Sequence, residues 1–552
     1  MSSLSRLKAG PVTDALRSAV SETALDWPAE RHLAAFEARQ IAACLQRVRE
    51  PVHIVSTADG GVRGLALGSQ VAALEAAGYR LLGTLPPLYP EWLGDRDFGE
   101  LHGVRFPYVA GEMARGIATT RMVIAMARAG MLGIYGAAGL DVDAIEREVH
   151  ELSGALGGNR PWGVNLINSP TEPALEERTA ELLLRSGVPI ISASAYMDIT
   201  PPLARCAAAG LRLDPAGRIV RPVRIFAKVS RPEVAEKFMA PAPASLLAAA
   251  VARGQLTQEE AWLAAQVPVA EDVTVEADSG GHTDNQPLGA MLPAILALRD
   301  AATARYGYQR RIRVGAAGGL GSPQAVAGAF ALGAAYVLTG SVNQLAVESG
   351  VSDDARALLA QADLADVMMA PAADMFEMGV QVQVLRRGTM FGPRARRLYE
   401  AYREYPSVEE LPADVRGALE REVLHASLDE VWAQTVSFWQ LRDPAQLARA
   451  AEDARHRMAL IFRWYLGNSS RWAVEGNTLR RSDYQLWAGP AVGAFNRWTA
   501  GSFLAEPGER TVAQIAFNLL EGAAVITRAH QARTYGVPVP PQAFTFVPRR
   551  LR

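Results

Sequence analysis

One stretch of the sequence, Val273–Pro287, reads VTVEADSGGHTDNQP, a choice of residues that packing alone does not explain. The β-branched run Val273-Thr274-Val275 predicts a short strand. It ends at Glu276, and Asp278, Ser279, Gly280, Gly281 and His282 follow. Paired glycines let a backbone approach a ligand closely. A histidine is the side chain most easily set to move a proton near neutral pH. Together at a strand end they predict a ligand site with acid–base capability, with His282 as its candidate catalytic group. The plainer alternative is a structural histidine that hydrogen-bonds a loop. Glu276 and Asp278 are the local carboxylates that would orient it, and the sequence does not rank them.

Two other stretches carry phosphate chemistry. GAAGGLGSP (Gly315–Pro323) and LTGSVNQ (Leu338–Gln344) each follow a predicted strand. Either alone is a tight turn of small residues. At consecutive strand ends their backbone N–H groups make a phosphate cradle, with Gly318, Gly319, Gly340 and Ser341 as the candidates. The other strand ends would then serve the ring of a flavin. Ala110, Gly111, Glu112 and Met113 close the first strand, and Asn165 in the third offers both a donor and an acceptor. Lys228 lies in an otherwise apolar strand. At the mouth it would face the flavin edge where negative charge accumulates on reduction, a catalytic as well as a binding role. The alternative for Lys228 is a snorkelling or salt-bridged lysine.

The elements that must position these groups alternate regularly. Strand patterns occur at Phe106–Ala110, Met131–Tyr135, Trp162–Leu166, Val188–Ser194, Val223–Val229, Val273–Glu276, Arg313–Ala317 and Ala335–Thr339, with helical patterns between them. Eight such units predict an α/β fold of the (β/α)₈ TIM-barrel type. A doubly wound sheet also alternates, but no G-x-G-x-x-G follows the first strand. A small α+β region is expected over 1–104, with a helix across Ala29–Glu50, a hairpin across Pro51–Leu67, and the aromatic, proline-rich LPPLYPEWLGDRDF covering one barrel end. The barrel is expected over 105–345, a large helical appendage over 346–535, and an irregular, proline-rich tail over 536–552. Within the appendage the spacing predicts a short extended run at Val380–Val384 and one helix over Ala445–Leu466.

Composition narrows the function classes. The chain has 552 residues, 49% hydrophobic and 21% charged, with a net charge of −2. Such a balance gives no field for nucleic acid. No apolar run is long enough for a membrane span, and no apolar leader is seen. Two cysteines, Cys44 and Cys206, cannot build a disulfide framework, so a reducing cytoplasm is expected. No H-E-x-x-H, CxxC or EF-hand pattern indicates a metal, and no G-x-S-x-G elbow indicates a serine nucleophile.

EADSGGHTDNQP, VGAAGGLGSPQA, YVLTGSVNQ and ADVMMAPAADMFEMGVQVQVLRRGTMF closely resemble the trans-acting enoyl reductases of modular polyketide and polyunsaturated fatty acid synthases (PfaD type). These are relatives of nitronate monooxygenases (2-nitropropane dioxygenases) and of FMN-dependent bacterial enoyl-carrier-protein reductases. The resemblance runs from about YPEWLGDRDF to DYQLWAGPAVGAFN. It implies a TIM barrel, tightly bound FMN, NADPH as transient hydride donor, and an enoyl thioester on an acyl carrier protein as substrate. It is compatible with a homodimer. The family's glycine-glycine-histidine falls on Gly280, Gly281 and His282, its phosphate glycines on Gly318, Gly319 and Gly340, and its first-strand flavin loop on Ala110–Met113. Glu112 stands where many relatives have a small residue. Arg386, Arg387, Arg394, Arg396 and Arg397 suggest a basic face for an acidic carrier protein, or an ordinary solvated helix face. The barrel motifs alone also allow a nitronate-type flavin oxygenase.

Overall fold

Eight parallel strands close into a barrel: β1 Tyr108–Ala110, β2 Leu132–Tyr135, β3 Gly163–Ile167, β4 Ile190–Ser194, β5 Arg224–Val229, β6 Asp272–Glu276, β7 Arg313–Ala317 and β8 Val337–Thr339. Each pairs with the next in sequence, and β8 returns to β1 with Thr339 opposite Ala110. This computed structural model describes residues 33–68, 71–157 and 161–552. The TIM-barrel fold expected from the alternation is therefore the observed one. Its flanking helices begin where side chains cap them: Thr119, Asp141, Thr200 and Ser322 each accept the amide three residues on.

The two barrel ends differ in kind. The helix Arg96–His102, which starts at the end of the aromatic, proline-rich stretch and was not expected as a helix, plugs the N-terminal end. Its Phe98 stacks on Tyr336 at 4.5 Å between ring centroids and meets Phe226 edge-on at 6.3 Å. Beside this plug the buried Asp272 accepts from Arg313 at 2.7 and 2.9 Å and lies 3.0 Å from His102 Nε2. A sealed, aromatic and ion-paired end stabilises the barrel, and the chemistry is left to the C-terminal end.

Three additions surround the barrel. The N-terminal region is a three-stranded antiparallel sheet with Val52–Ser56 in the middle. The expected hairpin is present, and Arg80–Leu85 adds a third strand. The expected N-terminal helix is confined to Ala38–Gln46, and residues 29–32 lie outside the described residues. After β8 the appendage is largely helical, but it also contributes strands Val367–Pro371 and Gln381–Leu385. The second of these pairs antiparallel with Gly281–His282. The single helix predicted over 445–466 is two, Pro444–Glu452 and Ala454–Glu475, because Asp453 adopts an extended conformation and caps the second. The terminal segment 536–552 is irregular apart from one turn at Pro541–Phe544, yet Val537, Ala543 and Phe546 are buried. Among the described residues no single helix is long and apolar enough to cross a membrane.

Candidate active site

The C-terminal strand ends open onto a cavity of about 310 Å³. Glu112, Met113, Asn165, Lys228, Gly280, Gly281, His282, Gly318, Gly319, Gly340 and Ser341 all line it. Ala110 and Gly111 do not. Ala110 is the last residue of β1, and the Gly111 N–H is spent on Thr339 O at 2.9 Å. Gly111 is small for a packing reason, since a Cβ there would come 2.4 Å from Leu338 Cδ2.

The segment after β6 is held from three sides. Gly281 takes a φ of 83°, which favours glycine, and starts the two-residue strand against Gln383 and Val382. Gln383 Nε2 donates to Asp278 Oδ1 and to Ser279 O, both at 2.7 Å. Gly280 faces the backbone of Trp487–Gly489, where a Cβ would lie 2.8 Å from Ala488 Cα. His282, whose side chain is 32% exposed, places Nε2 3.2 Å from Asp374 Oδ1. Burial pulls the His282 pKa down, but Asp374, aided by Glu276 and opposed by Lys228, raises it above the ordinary histidine value. Asp374 is depressed in turn, its own burial outweighed by the histidine. The orienting carboxylate is thus neither of the two nearby candidates. Asp278 is engaged by Asn285 and Gln383, and Glu276 by Lys228.

Lys228 is an ion-paired lysine. Its Nζ lies 2.8 Å from Glu276 Oε1 and 3.5 Å from Glu112 Oε1. Burial works against its charge, yet the two carboxylates more than compensate and hold its pKa above the usual lysine value. Lys228 thus both lines the cavity, as expected, and is salt-bridged, as the alternative had it, in a cluster with two glutamates. Ser192 Oγ donates to Glu112 Oε1 at 2.9 Å. Asn165 spends its amide donors on Ser192 O (3.0 Å) and Ser194 Oγ (2.8 Å), so it keeps only an acceptor for a ligand.

At the opposite side, Gly318 needs its φ of 86° and its bare Cα, because a Cβ would come 2.9 Å from the Ala277 carbonyl carbon. A Cβ on Gly319 would meet nothing within 4 Å. Neither the Gly319 nor the Ser341 amide is taken by a backbone acceptor. Ser341 Oγ accepts from the Gly489 amide at 3.2 Å and keeps its own proton to donate. Ser279 Oγ, Gln344 Oε1 and Glu112 Oε2 are buried in the cavity wall with no hydrogen-bond partner among the described residues. Unpaired buried polar atoms facing a roomy pocket are what a polar ring system and a phosphate would satisfy. The residues present fit a flavin nucleotide, and free amides at two glycine-rich turns suit its phosphate.

The crystal structure of the enoyl reductase domain of MlnA, from the macrolactin biosynthesis cluster of Bacillus amyloliquefaciens, matches 81% of this chain and 99% of its own. The TM-score is 0.76 and the identity 35%. The chain belongs to this enoyl reductase family. The polyketide biosynthesis protein PksE of Bacillus subtilis is 41% identical over 445 residues, 81% of this chain and 58% of its own length. The polyketide biosynthesis protein ThaF of Burkholderia thailandensis is 46% identical over 443 residues, 80% of this chain and 38% of its own. A polyunsaturated fatty acid synthase polypeptide of Thraustochytrium is 45% identical over 449 residues, 80% of this chain and 30% of its own. The chain therefore spans between about a third and three fifths of these longer relatives. Residues 405–484 match the model described as the inserted helical domain of [acyl-carrier-protein] S-malonyltransferase, which falls wholly within the appendage.

The cavity also brings in residues that the sequence pattern did not single out. Asp374 stands in the stretch ADVMMAPAADMF, but nothing local tied it to a histidine 92 positions away. Arg115, Arg442, Gly467, Gln485 and Trp487 also line the cavity, most of them from the appendage. The expected basic face is largely neutralised: Arg394 pairs with Asp483, Arg397 with Glu422 at 2.7 Å, and Arg387 with Asp366 at 3.2 Å.

Proposed function

We propose that this chain is an FMN-dependent, NADPH-consuming enoyl reductase acting on enoyl thioesters carried by an acyl carrier protein in polyketide or polyunsaturated fatty acid biosynthesis. The observation that carries the reading is the placement of His282–Asp374 and the Gly319/Ser341 amides in one cavity of a barrel related to an enoyl reductase domain. FMN, when bound, supplies the carrier that accepts hydride from NADPH and gives it to the β-carbon of the enoyl thioester. The protein's part is to place the partners and handle the proton. Gly318, Gly319, Gly340 and Ser341 are proposed to hold the phosphate. Glu112, Met113, Asn165, Lys228, Gly280 and Gly281 are proposed to surround the ring. His282, kept protonated by Asp374, is proposed to give the α-carbon its proton as negative charge develops on the thioester. Both cysteines are free and buried, which suits the cytoplasmic setting proposed with this function.

The test is anaerobic reduction of the yellow holoprotein by NADPH, followed by mixing with a crotonyl thioester or with a nitronate. Reoxidation by the thioester is expected. Reoxidation by nitronate and oxygen alone would replace the reading with a flavin oxygenase.

A further inference from the structure

Arg115 lies in the loop after β1 with a φ of 58°, a conformation that is strained for a non-glycine residue. Its amide is fixed to Ala138 O at 2.8 Å, so the loop is fastened to the one after β2. Its half-buried side chain lines the cavity, and Nη2 donates to Gly467 O at 3.1 Å. Among the described residues it has no carboxylate partner, whereas the neighbouring arginines do. Arg442, also on the cavity wall, is held by Glu172 at 2.5 and 3.3 Å, and Arg471 by Glu475 at 3.6 Å. Burial, then the nearby Arg471 and Arg442, pull the Arg115 pKa down to about 10, with Glu475 opposing. Three guanidiniums thus share two carboxylates at the rim. A half-buried, uncompensated guanidinium is costly unless an anion comes to it. Its planar fork matches phosphate. Asn168, Ser169 and Ser470 on the same wall add further polar groups.

We propose that Arg115, backed by Arg442, is a phosphate subsite at the rim of the cavity, selecting ligands that carry a phosphorylated arm. It deepens the enoyl-thioester reading and rests on it. Arg115 is carried by the loop after β1 and fastened to the loop after β2 and to the helix Ala454–Glu475, whereas the glycine-rich turns follow β7 and β8. Two ligands bring such a phosphate to the mouth: the phosphopantetheine arm of a carrier-bound substrate and NADPH.

The experiment is calorimetric titration of the flavin-loaded protein with phosphopantetheine, pantetheine and NADP⁺, on wild type and on Arg115→Gln, which keeps a donor for the Gly467 carbonyl. Wild type is expected to bind phosphopantetheine about tenfold or more tightly than pantetheine, a preference that Arg115→Gln loses. A loss confined to NADP⁺ assigns the subsite to the dinucleotide instead of the carrier arm. Equal binding of both pantetheines with unaltered NADP⁺ affinity in the variant overturns the proposal. So does a variant that purifies without flavin, because Arg115 would then serve the resident nucleotide. These readouts do not depend on turnover. A wild type that prefers the phosphorylated arm yet reduces no enoyl thioester defeats the reductase reading alone.

Discussion

His282 and Asp374 form a pair whose protonation can be followed directly. Because Asp374 raises the His282 pKa against the pull of burial, the protonated imidazole persists above the pH at which a free histidine would lose its proton. Activity that needs this proton therefore holds as pH rises and falls only beyond the raised pKa. In Asp374→Asn the alkaline limb of the kcat profile is expected to move to lower pH, which a pH–rate series would show. His282→Ala is expected to lower enoyl-thioester turnover by about 10²- to 10⁴-fold with the flavin spectrum retained. Full activity in that variant would reject His282 as the proton donor. The neighbouring Glu112–Lys228–Glu276 cluster carries its own lesson. The sequence leaves a lysine in an apolar strand either free or salt-bridged until its partners, one 116 positions earlier, are seen.

Among the elements, the short strand Gly281–His282 is the joint between barrel and appendage. Gln383 secures it through two 2.7 Å bonds, and Gly280 lets the Trp487–Gly489 backbone close over it. Gly280→Ala is expected to cost about 1–3 kcal/mol in denaturant unfolding and to loosen flavin binding, since backbone must shift to admit the methyl group. The barrel's sealed end makes the complementary prediction. Asp272 is held well below the usual carboxylate range; burial opposes this, and Arg313 and His102 win. A depressed carboxyl adds stability that is present above its unfolded pKa and lost as pH falls through the folded one. Asp272→Ala, which leaves the buried Arg313 only its longer contacts to Asp97 (3.5 Å) and Glu271 (3.9 Å), is expected to destabilise by about 3 kcal/mol. Its acid unfolding should depend less on pH than that of wild type.

Across the whole molecule, the long helix Val512–Thr534 binds the described N-terminal region and the 536–552 segment to the barrel. Arg528 is fully buried in it and donates to the carbonyls of Val48 (3.4 Å), Glu50 (3.3 Å) and Pro86. Glu521, two turns earlier on the same helix, receives Arg49 from the N-terminal region and Arg549 from the terminal segment. Burial draws the Arg528 pKa down to about 10, which leaves it charged at neutral pH. Arg528→Met removes this donor from three carbonyls, and Val48 O keeps the Leu88 amide at 2.7 Å. It is expected to cost on the order of 3 kcal/mol and to expose the linkers of residues 33–104 to limited proteolysis before the barrel itself is cut.

The barrel was legible in the sequence because each β/α unit is specified locally, by β-branched runs, caps and small residues at the turns. Most of the proposed strand-end groups followed from the same logic: a residue placed just after a barrel strand must face the C-terminal mouth. What the sequence could not supply was pairing. Asp374, Arg442 and Trp487 reach the cavity, and Gln383 its wall, from an appendage whose helices and strands have no periodic relation to the barrel. Their contacts depend on how two surfaces of distant residues pack. Local pattern thus determined the fold and the floor of the site. Tertiary packing alone decided which carboxylate holds His282, which cavity arginine is left, among the described residues, without a carboxylate, and which glutamates pair the lysine.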